Sequence, residues 1–380
     1  FPAEHIVKRD PQGNWCKWNG SAYESLITGL NGSVYCMAEA PDGKIYVGGN
    51  FTDAGGVAGA DYLARWNPVT EAWEKVIAGV NNRIYDLEFD ANGDLYVAGN
   101  FTDLGSTDGD GIVKITDLSG TPTINALGTG LTASVTGAGR SIKIDASGDV
   151  YVGGYFTLAG GVANTSHIAK WDGTSWSALS TGLNNDVYSL AFAPNGDLYI
   201  GGAFTDAVYP YLCKWNGTAF SVVGTNTDIG AYVAILAFGA TGGLYVGGNF
   251  TNAGGIANAD YIARWGGSHW ESLGTGTNGL VRRVFVGSGK VYVSGDFTTA
   301  GGLTLADRVA VWNNGAWQPL DIDLPGTGTV YSILPASDGS LYIGGNFSTA
   351  GETPDENAET GIVALNLNVA SASANTYPFM

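Results

Sequence analysis

The chain has three histidines, His5, His167 and His269, and this limits the chemistry available to it. They lie far apart in the sequence. A histidine metal centre or a Ser-His-Asp triad needs an imidazole held beside further ligands or a nucleophile. No HExxH, GxSxG or phosphate-binding Gly-Lys motif occurs. We therefore predict a protein that is not an enzyme and has no catalytic metal or organic cofactor.

Two acidic stretches, residues 102–111 and 351–361, offer the clustered oxygen ligands that calcium prefers. Neither stretch has the order of ligands found in an EF-hand. Two interpretations stay open, solvated acidic loops or loops that hold a structural calcium ion. The carboxylates concerned belong to Asp103, Asp108, Asp110, Glu352, Asp355, Glu356 and Glu359.

The charge balance excludes two classes of partner. The chain has 17 basic and 35 acidic residues and a net charge of −18, which repels nucleic acid phosphates and anionic lipids. Only 14% of the residues are charged, and Gly alone accounts for 59 of 380. No membrane-length apolar run or signal peptide is present. This composition favours an extracellular, cell-surface or virion protein without nucleic acid binding or membrane insertion.

One phrase recurs along the chain, as IYVGGNFTDAGG (45–56), LYVGGNFTNAGG (244–255) and LYIGGNFSTAG (341–351). Its phenylalanine returns at intervals of about 50 residues, which indicates an internal repeat. The seven copies of this residue are Phe51, Phe101, Phe156, Phe204, Phe250, Phe297 and Phe347.

Each repeat contains four short apolar bursts rich in β-branched and aromatic residues, without helical spacing. Turns such as PNGD (194–197) and NGTA (216–219) join them as hairpins. Four antiparallel strands in about 50 residues are typical of a β-propeller blade. We predict an all-β, seven-bladed propeller of four-stranded antiparallel blades, with the third-strand tryptophans filling the space between blades.

The string GGNFTxAGG, followed by IARW or IAKW and then by WxxL, resembles known repeats. It is similar to the β-propeller repeats of fungal cortical cell-polarity marker proteins and to the delta-sixty-type repeats of bacterial surface proteins. The resemblance extends from Trp15 to about Asn368, and GIVKIT (111–116) departs from it because it lacks the tryptophan. It implies a propeller displayed outside the cell or on a particle, and it supplies no catalytic residues.

The ring can close in two ways, because the sequence offers eight candidates for the third strand of a blade and only seven of the others. The N-terminal WCKWNGSAYESL (15–26) supplies a complete third–fourth hairpin, and GIVALNLN (361–368) also matches a third strand. We favour the N-terminal hairpin, which leaves the C-terminal strand free to pair at an edge or with another chain. The domain plan is then a lead-in over 1–14, the propeller over 15–368 and a tail over 369–380.

The candidate binding residues fall on one face of the predicted ring. Connections from second to third strands run to about ten residues, and this long-loop face should carry the partner site. Arginines near the starts of first strands should ring the channel mouth, unless neighbouring carboxylates pair with them. Aromatic and Arg side chains of the long loops should project outward. The candidates are Tyr62, Tyr261, Arg83, Arg140, Arg282, Arg283 and Arg308.

Three functions are compatible with these features. We favour a non-enzymatic propeller that mediates structural assembly or adhesion with other surface or particle proteins. The alternative is a glycan-binding, lectin-like module, in which Tyr62, Tyr209, Tyr211 and Tyr261 stack on sugars. A propeller hydrolase or lyase is a remote alternative, which would need a pair of carboxylates converging at the channel mouth.

Overall fold

The computed structural model describes residues 29–104, 107–133, 137–225, 227–304, 306–320 and 328–348. Four further strands, at 7–9, 15–18, 23–25 and 360–366, are described by their backbone alone, as are residues 103, 107, 108, 347 and 348. The fold is all β. The only helical element described is a 3-10 turn at Ala253–Gly255, and no helix in these ranges is long and apolar enough to cross a membrane.

The chain forms a succession of antiparallel meanders. The N-terminal sheet consists of β1 (Val7–Arg9), β2 (Trp15–Trp18) and β3 (Tyr23–Ser25). Blade 1 consists of β4 (Ser33–Glu39), β5 (Ile45–Asn50), β6 (Leu63–Asn67) and β7 (Ala72–Lys75). In blade 2, β8 (Ile84–Phe89) and β9 (Leu95–Gly99) are followed by a small loop hairpin of β10 (Asp103–Leu104) and β11 (Thr107–Asp108). Blade 2 is completed by β12 (Ile112–Thr116) and β13 (Thr123–Ala126).

The next three blades repeat this order. Blade 3 consists of β15 (Ala138–Ile144), β16 (Val150–Tyr155), β18 (Ile168–Trp171) and β19 (Trp176–Ala178). Beside it, the short β14 (Leu131–Thr132) and β17 (Leu158–Ala159) form a separate two-stranded sheet. Blade 4 consists of β20 (Val187–Phe192), β21 (Leu198–Gly202), β22 (Leu212–Trp215) and β23 (Phe220–Val222). Blade 5 consists of β24 (Val233–Phe238), β25 (Leu244–Gly248), β26 (Ile262–Trp265) and β27 (Trp270–Ser272).

Blade 6 and a smaller sheet complete the succession. Blade 6 consists of β28 (Val281–Gly287), β29 (Lys290–Gly295), β30 (Val309–Asn313) and β31 (Ala316–Pro319). The last sheet has three strands, β32 (Val330–Pro335), β33 (Ser340–Ser348) and β34 (Thr360–Asn366). The predicted propeller of four-stranded antiparallel blades is confirmed. The described chain has six such blades, however, and not the seven that we expected.

The pairing of the last sheet differs from the arrangement favoured by the sequence. Strand β34 pairs antiparallel with β33, from Ser340 opposite Asn366 to Ser348 opposite Thr360. It therefore occupies the third-strand position, and the hairpin of β2 and β3 pairs with β1 instead. Strand β1 lies within the predicted lead-in of residues 1–14, and the predicted tail of 369–380 lies outside the described residues.

The six blades and the last sheet close into a ring through seven hydrophobic clusters in the described part of the chain. Each cluster lies between two consecutive sheets. One of them joins the last sheet to blade 1 and contains Tyr342, Val34 and Met37. Across the same junction, the backbone N–H of Ser337 donates to a carboxylate oxygen of Glu39 at 2.9 Å. A single sheet cannot bury both faces, and the ring buries each sheet against its neighbours.

Two residues of the repeated GGNF phrase, the first glycine and the phenylalanine, are important for packing. In blade 1, a Cβ on the first glycine, Gly48, would lie 2.5 Å from a methyl group of Ile84 in blade 2. This glycine therefore sets how closely consecutive blades approach. The phenylalanine is buried in all six copies whose side chain is described. Its carbonyl accepts the backbone N–H of the residue just before the third strand, for example Tyr62 at 2.8 Å in blade 1.

The tryptophans pair within blades and also pack against the neighbouring blade. In blade 3, Trp171 of the third strand contacts Trp176 of the fourth, with ring centroids 5.4 Å apart. The equivalent Trp265–Trp270 and Trp312–Trp317 pairs have the same arrangement. In these three pairs the fourth-strand ring is the more deeply buried one. The third-strand rings also pack into the clusters between consecutive sheets, as the sequence predicted. Trp66 and Trp215 are buried members of such clusters, and Trp171, Trp265 and Trp312 are partly buried against them.

Candidate functional site at the channel mouth

A β-bulge near the start of each first strand builds the wall of the channel mouth. At the same repeat position in β4, β8, β15, β20, β24, β28 and β32, one residue is left without a partner in the second strand. A bulge twists the strand and re-aims the extra side chain. The bulged residues are Tyr35, Tyr85, Arg140, Tyr188, Ala234, Arg282 and Tyr331.

These seven residues line a cavity of about 520 Å³. Tyr232, Ile235 and Arg283 complete its lining. The volume is in the range of pockets that hold small ligands or short chain segments. The wall combines five tyrosines with three arginines, so it offers hydroxyl donors and fixed positive charge together. We call this space the channel-mouth cavity.

The aromatic rings of the cavity contact one another. Tyr35 stacks on Tyr85 with ring centroids 5.6 Å apart and meets the edge of Tyr331 at 5.3 Å. Tyr188 and Tyr232 form an edge-to-face pair at 5.9 Å. Burial raises the pKa of Tyr35, and the neighbouring Arg83 opposes this rise only in part. The Tyr35 hydroxyl therefore remains protonated and able to donate at neutral pH.

The arginines lie over the tyrosine rings. The Arg140 guanidinium is 4.8 Å from the ring centre of Tyr85 and 5.5 Å from that of Tyr188. Arg282 is 5.4 Å from the ring centre of Tyr331. Cation–π contacts of this kind contribute about 0.5–2 kcal/mol each. They hold both guanidiniums in place at the mouth before any partner arrives.

The ion pairing of the predicted arginines is uneven. Arg282 makes a bidentate pair with Asp296, at 2.9 and 2.7 Å. Arg83, Arg140 and Arg283 have no carboxylate within 4 Å in the described part of the chain. The Nε of Arg83 instead donates to the side-chain oxygen of Asn50 at 3.2 Å, and the buried Nε of Arg140 has no acceptor there. The sequence left open the alternative that carboxylates pair with the four mouth arginines. Only Arg282 has such a partner in the described part of the chain.

A carboxylate and an imidazole lie beside Arg140. Asp186, just before β20, is 3.6 Å from Nδ1 of His167, and the same Nδ1 lies 3.1 Å from the carbonyl oxygen of Gly154. Burial raises the pKa of Asp186, and the positive charge of Arg140 opposes this only in part. One oxygen of Asp186 is buried without a hydrogen-bond donor in the described chain.

Below the mouth, neighbouring first strands are tied together by side chains. The carboxylate of Asp86 accepts the backbone N–H of Ile142 at 2.8 Å, one blade further on. The hydroxyls of Ser141 and Ser189 accept the N–H of Leu190 and Leu236 in the same way, both at 3.0 Å. All three acceptors follow directly after the bulged residue. The bulges thus both aim the mouth residues and place the groups that lock adjacent blades.

A charged pair spans blades 2 and 3 further down the channel. Lys143 Nζ lies 2.5 Å from a carboxylate oxygen of Glu88. Burial raises the pKa of Glu88, and the charge of Lys143 opposes this. Burial alone would lower the pKa of Lys143, but the Glu88 carboxylate raises it above its ordinary value. The charge of Arg283 also acts on both groups.

The structure brings together the predicted arginines but not the predicted loop aromatics. Arg140, Arg282 and Arg283 line the cavity, and Arg83 lies beside Tyr35. The five tyrosines of the cavity were missed. Four of them were visible as a repeated Tyr near the start of the first strand, in SVYCMA (33–38), IYDLEF (84–89), VYSLAF (187–192) and VYSILP (330–335).

The expectation that Tyr62, Tyr261 and Arg308 project outward is wrong. Each directly precedes a third strand and has a left-handed backbone with a φ of about 60°. Tyr62 and Tyr261 pack against hydrophobic clusters, and Arg308 is buried with its guanidinium 3.5 Å from Asp307. Tyr209 and Tyr211, expected to stack on sugars, pack against clusters too.

Most side chains of the two acidic stretches lie outside the described part of the chain. Within the described residues, no group of three or more His, Cys, Asp or Glu side chains could hold an ion. Asp103 and Asp108 face each other across β10 and β11, with described backbone only, and Asp110 follows them. Glu352, Asp355, Glu356 and Glu359 lie outside the described residues.

A second cavity, of about 600 Å³, lies between blades 4 and 5. Its lining includes Tyr199, Lys214, Trp265, His269 and Trp270. The indole N–H of Trp270 donates to Asp228 at 2.9 Å, whereas the equivalent Trp176 donates to a backbone carbonyl. The hydrogen bond of the fourth-strand tryptophan therefore differs between this junction and the junction before blade 3.

Comparison with known proteins supports the fold. A family model described as a domain of unknown function, DUF5122, β-propeller, matches residues 40–68. No curated protein matches the chain. The similar solved structures include YCF48 bound to D1 peptide, at 16% identity and a TM-score of 0.55 over 91% of this chain and 95% of that one.

Two further solved structures show how widely this architecture is used. Virginiamycin B lyase from Staphylococcus aureus is 12% identical with a TM-score of 0.54, over 83% of this chain and 93% of that one. The WD40 β-propeller domain of Doa1 is 16% identical with a TM-score of 0.55, over 84% and 91%. At these identities the likeness extends to the fold alone. The chain is a β-propeller whose repeat at residues 40–68 matches the DUF5122 β-propeller model.

Proposed function

We propose that this protein is a non-enzymatic propeller that mediates assembly or adhesion by binding a partner protein at its long-loop face. The main support is that this face carries the channel-mouth cavity and most of the exposed apolar surface. Five large apolar side chains are exposed in the described chain. Val208, Ile256 and Leu303 belong to the long loops, and Tyr155 lies at the same end of β16, whereas Val69 lies on the opposite, hairpin face.

Exposed apolar side chains and fixed arginines on one rigid face suit partner binding. Preformed side chains lose little conformational freedom on association, and Arg and aromatic residues are frequent anchors. The proposed location is extracellular, on a cell surface or on a virion. Two features support that location. One is the low fraction of charged residues, and the other is the resemblance to the fungal and bacterial surface-protein repeats named above.

The proposal of no catalysis rests on how the one His–carboxylate pair at the mouth is used. His167 directly precedes a third strand with a φ of 62°, at the position that Tyr62, Tyr211 and Tyr261 occupy in other blades. Its N–H donates to the carbonyl of Phe156, as theirs do to the equivalent phenylalanines. We assign His167 this structural role and expect neither a cofactor nor a metal in a reaction.

The test compares the two faces of the propeller. The full chain is immobilised, and retention of intact cells or particles of the source organism is measured. Glutamate at Val208, Ile256 and Leu303 should reduce retention, because it places charge on the apolar long-loop surface. Val69→Glu is the matched control on the hairpin face and should bind like the parent. Retention lost with Val69→Glu and kept by the other variants would contradict the face assignment.

The second candidate is a glycan-binding module, favoured by the cavity between blades 4 and 5. There the partly exposed Trp265 adjoins polar groups of Lys214 and His269, a combination that can stack on a sugar ring and hydrogen-bond to it. A glycan array probed with the parent and with Trp265→Ala tests this. Trp171→Ala removes an equivalent tryptophan of blade 3 and is the control.

A further inference from the structure

Three arginines without a carboxylate partner gather at one place in a strongly acidic protein. Seven arginine side chains are described. Four are ion-paired, through Arg65–Glu74, Arg264–Glu271, Arg282–Asp296 and Arg308–Asp307. The other three are Arg83, Arg140 and Arg283. None of these three forms an ion pair within 4 Å with a carboxylate of the described residues.

The three guanidiniums lie at different depths along the channel axis. Arg83 precedes β8 and is exposed at the rim, where it hydrogen-bonds to Asn50 of the adjacent blade. Arg140 occupies the bulged position in the cavity wall. Arg283 follows the bulged Arg282 and belongs to the layer below, with Ile235. A group that enters from the long-loop face along the axis therefore meets positive charge at each step.

The aromatic faces of the cavity are largely occupied. Tyr35 contacts Tyr85 and Tyr331, and Arg140 covers Tyr85 and Tyr188. Arg282 covers Tyr331. A sugar ring needs a free aromatic face to stack on, whereas a carboxylate needs donors. Burial raises the pKa of Tyr188 as well as that of Tyr35, so both hydroxyls remain donors at neutral pH.

We propose that the channel-mouth cavity binds a carboxylate of an acidic polypeptide segment, with Arg140 and Arg283 as its principal partners. The inference rests on the proposed function, since it specifies the part of the partner that enters the mouth. A guanidinium recognises a carboxylate through two parallel N–H···O bonds, and such charge-assisted bonds are about twice as strong as neutral ones. The ring admits a loop tip or a chain end along its axis.

The negative charge of the rest of the molecule makes this site selective. A net charge of −18 repels acidic segments from most of the surface. At the mouth, Arg83, Arg140 and Arg283 place three positive charges that form no ion pair within 4 Å in the described chain. Asp186 lies beside Arg140 but does not form an ion pair with it within 4 Å, so the guanidinium stays available.

The test uses a library of random 12-residue peptides displayed on phage and selected against the immobilised full chain. Asp and Glu should be enriched, and synthetic copies of the selected peptides should bind with a dissociation constant measurable by fluorescence polarisation. Replacing the acidic residues with Asn or Gln should weaken binding about tenfold or more. Arg140→Gln and Arg283→Gln should each have an effect of similar size.

Lys75→Gln is the matched control, because Lys75 is an exposed cation of β7 outside the cavity. It should bind the peptides like the parent, and thermal unfolding should show that all variants are folded. Selected peptides without carboxylates, failure of the selection, or binding insensitive to both arginine variants would overturn the proposal. The proposal would also be overturned if an oligouronate, and no peptide, bound in a way that depends on the arginines, because the ligand would then be an acidic sugar chain. None of these outcomes would contradict the proposed function, which is tested separately by the retention of cells through Val208, Ile256 and Leu303.

Discussion

Single glycines of the repeat have separable tasks, and the AGG motif of blade 5 shows this best. Gly254 and Gly255 both have left-handed backbone, with φ of 60° and 73°. A Cβ on Gly254 would lie 2.4 Å from Cδ1 of Trp270, whereas a Cβ on Gly255 would meet nothing within 4 Å. The first glycine thus makes room for the fourth-strand tryptophan, and the second serves only the turn.

Alanine at these two positions should have different effects on stability. Gly255→Ala should cost about 1 kcal/mol, the penalty of a left-handed alanine. Gly254→Ala adds the collision with Trp270 and should cost at least twice as much. Urea unfolding followed by tryptophan fluorescence measures both. Equal costs would mean that the tryptophan moves aside freely and that the glycine is not needed for its packing.

Asp186 should make the stability of the parent depend on pH. Its pKa in the folded protein is raised above the ordinary value of 3.8, so the folded state binds more protons than the unfolded state between the two values. Stability therefore falls as the pH rises through this window, and the loss is complete above it. Asp186→Asn lacks this ionisation. It should gain stability relative to the parent on going from pH 4 to pH 7.5 in thermal unfolding. A constant difference across that range would contradict the raised pKa.

The sequence predicted the arginines of the mouth because they interrupt an otherwise repeated pattern near the first strands. It failed for Tyr62, Tyr261 and Arg308 because a strand pattern assumes extended backbone. A left-handed residue reverses the direction of its side chain, and the letters alone do not reveal that conformation. In blade after blade, the backbone N–H of this left-handed residue donates to the carbonyl of the repeated phenylalanine.

At the scale of the strand, the residue after the bulge decides how adjacent blades are joined. Ser189 accepts the N–H of Leu236, while Ser332 at the equivalent position of β32 has a buried hydroxyl with no partner in the described chain. Ser189→Ala should cost about 1–2 kcal/mol, since it leaves a buried N–H unpaired. Ser332→Ala should be neutral or slightly stabilising. Urea unfolding of the two variants tests this, and equal costs would show that the hydroxyl bond contributes nothing to blade packing.

The strands themselves were predictable from short β-branched bursts and hairpin turns, and their antiparallel order is as expected. The bulges were not, because a bulge depends on the register between two strands. In VYSLAF (187–192), strict alternation would place Tyr188 and Ser189 on opposite faces. The bulge between Val187 and Ser189 suspends that alternation and lets Tyr188 line the cavity while Ser189 reaches the next blade. The candidate site depends on this local irregularity.

At the scale of the whole molecule, closure of the ring joins parts of the chain that are about 300 residues apart. Gly344 accommodates Val34, since a Cβ there would lie 2.5 Å from a valine methyl group. Tyr331 meets Tyr35 across the same junction. The repeat predicted a ring, because a succession of equivalent sheets can bury both faces of each only by closing. It favoured the N-terminal hairpin for completing the last sheet, although both ends of the chain match a third strand.

Deleting either end of the chain distinguishes the two modes of closure. Residues 1–28 and 353–380 are segments of equal length, and the second contains β34. Removing 353–380 should expose the edge of β33 and lower the midpoint of thermal unfolding. It should also promote pairing between chains, because an uncovered strand edge is a template for another strand. Removing 1–28 should have the smaller effect, since β1, β2 and β3 pair with one another and not with β33. Thermal unfolding and light scattering of the two truncated chains measure both effects. The opposite ranking would indicate that the N-terminal hairpin closes the ring, as the sequence alone favoured.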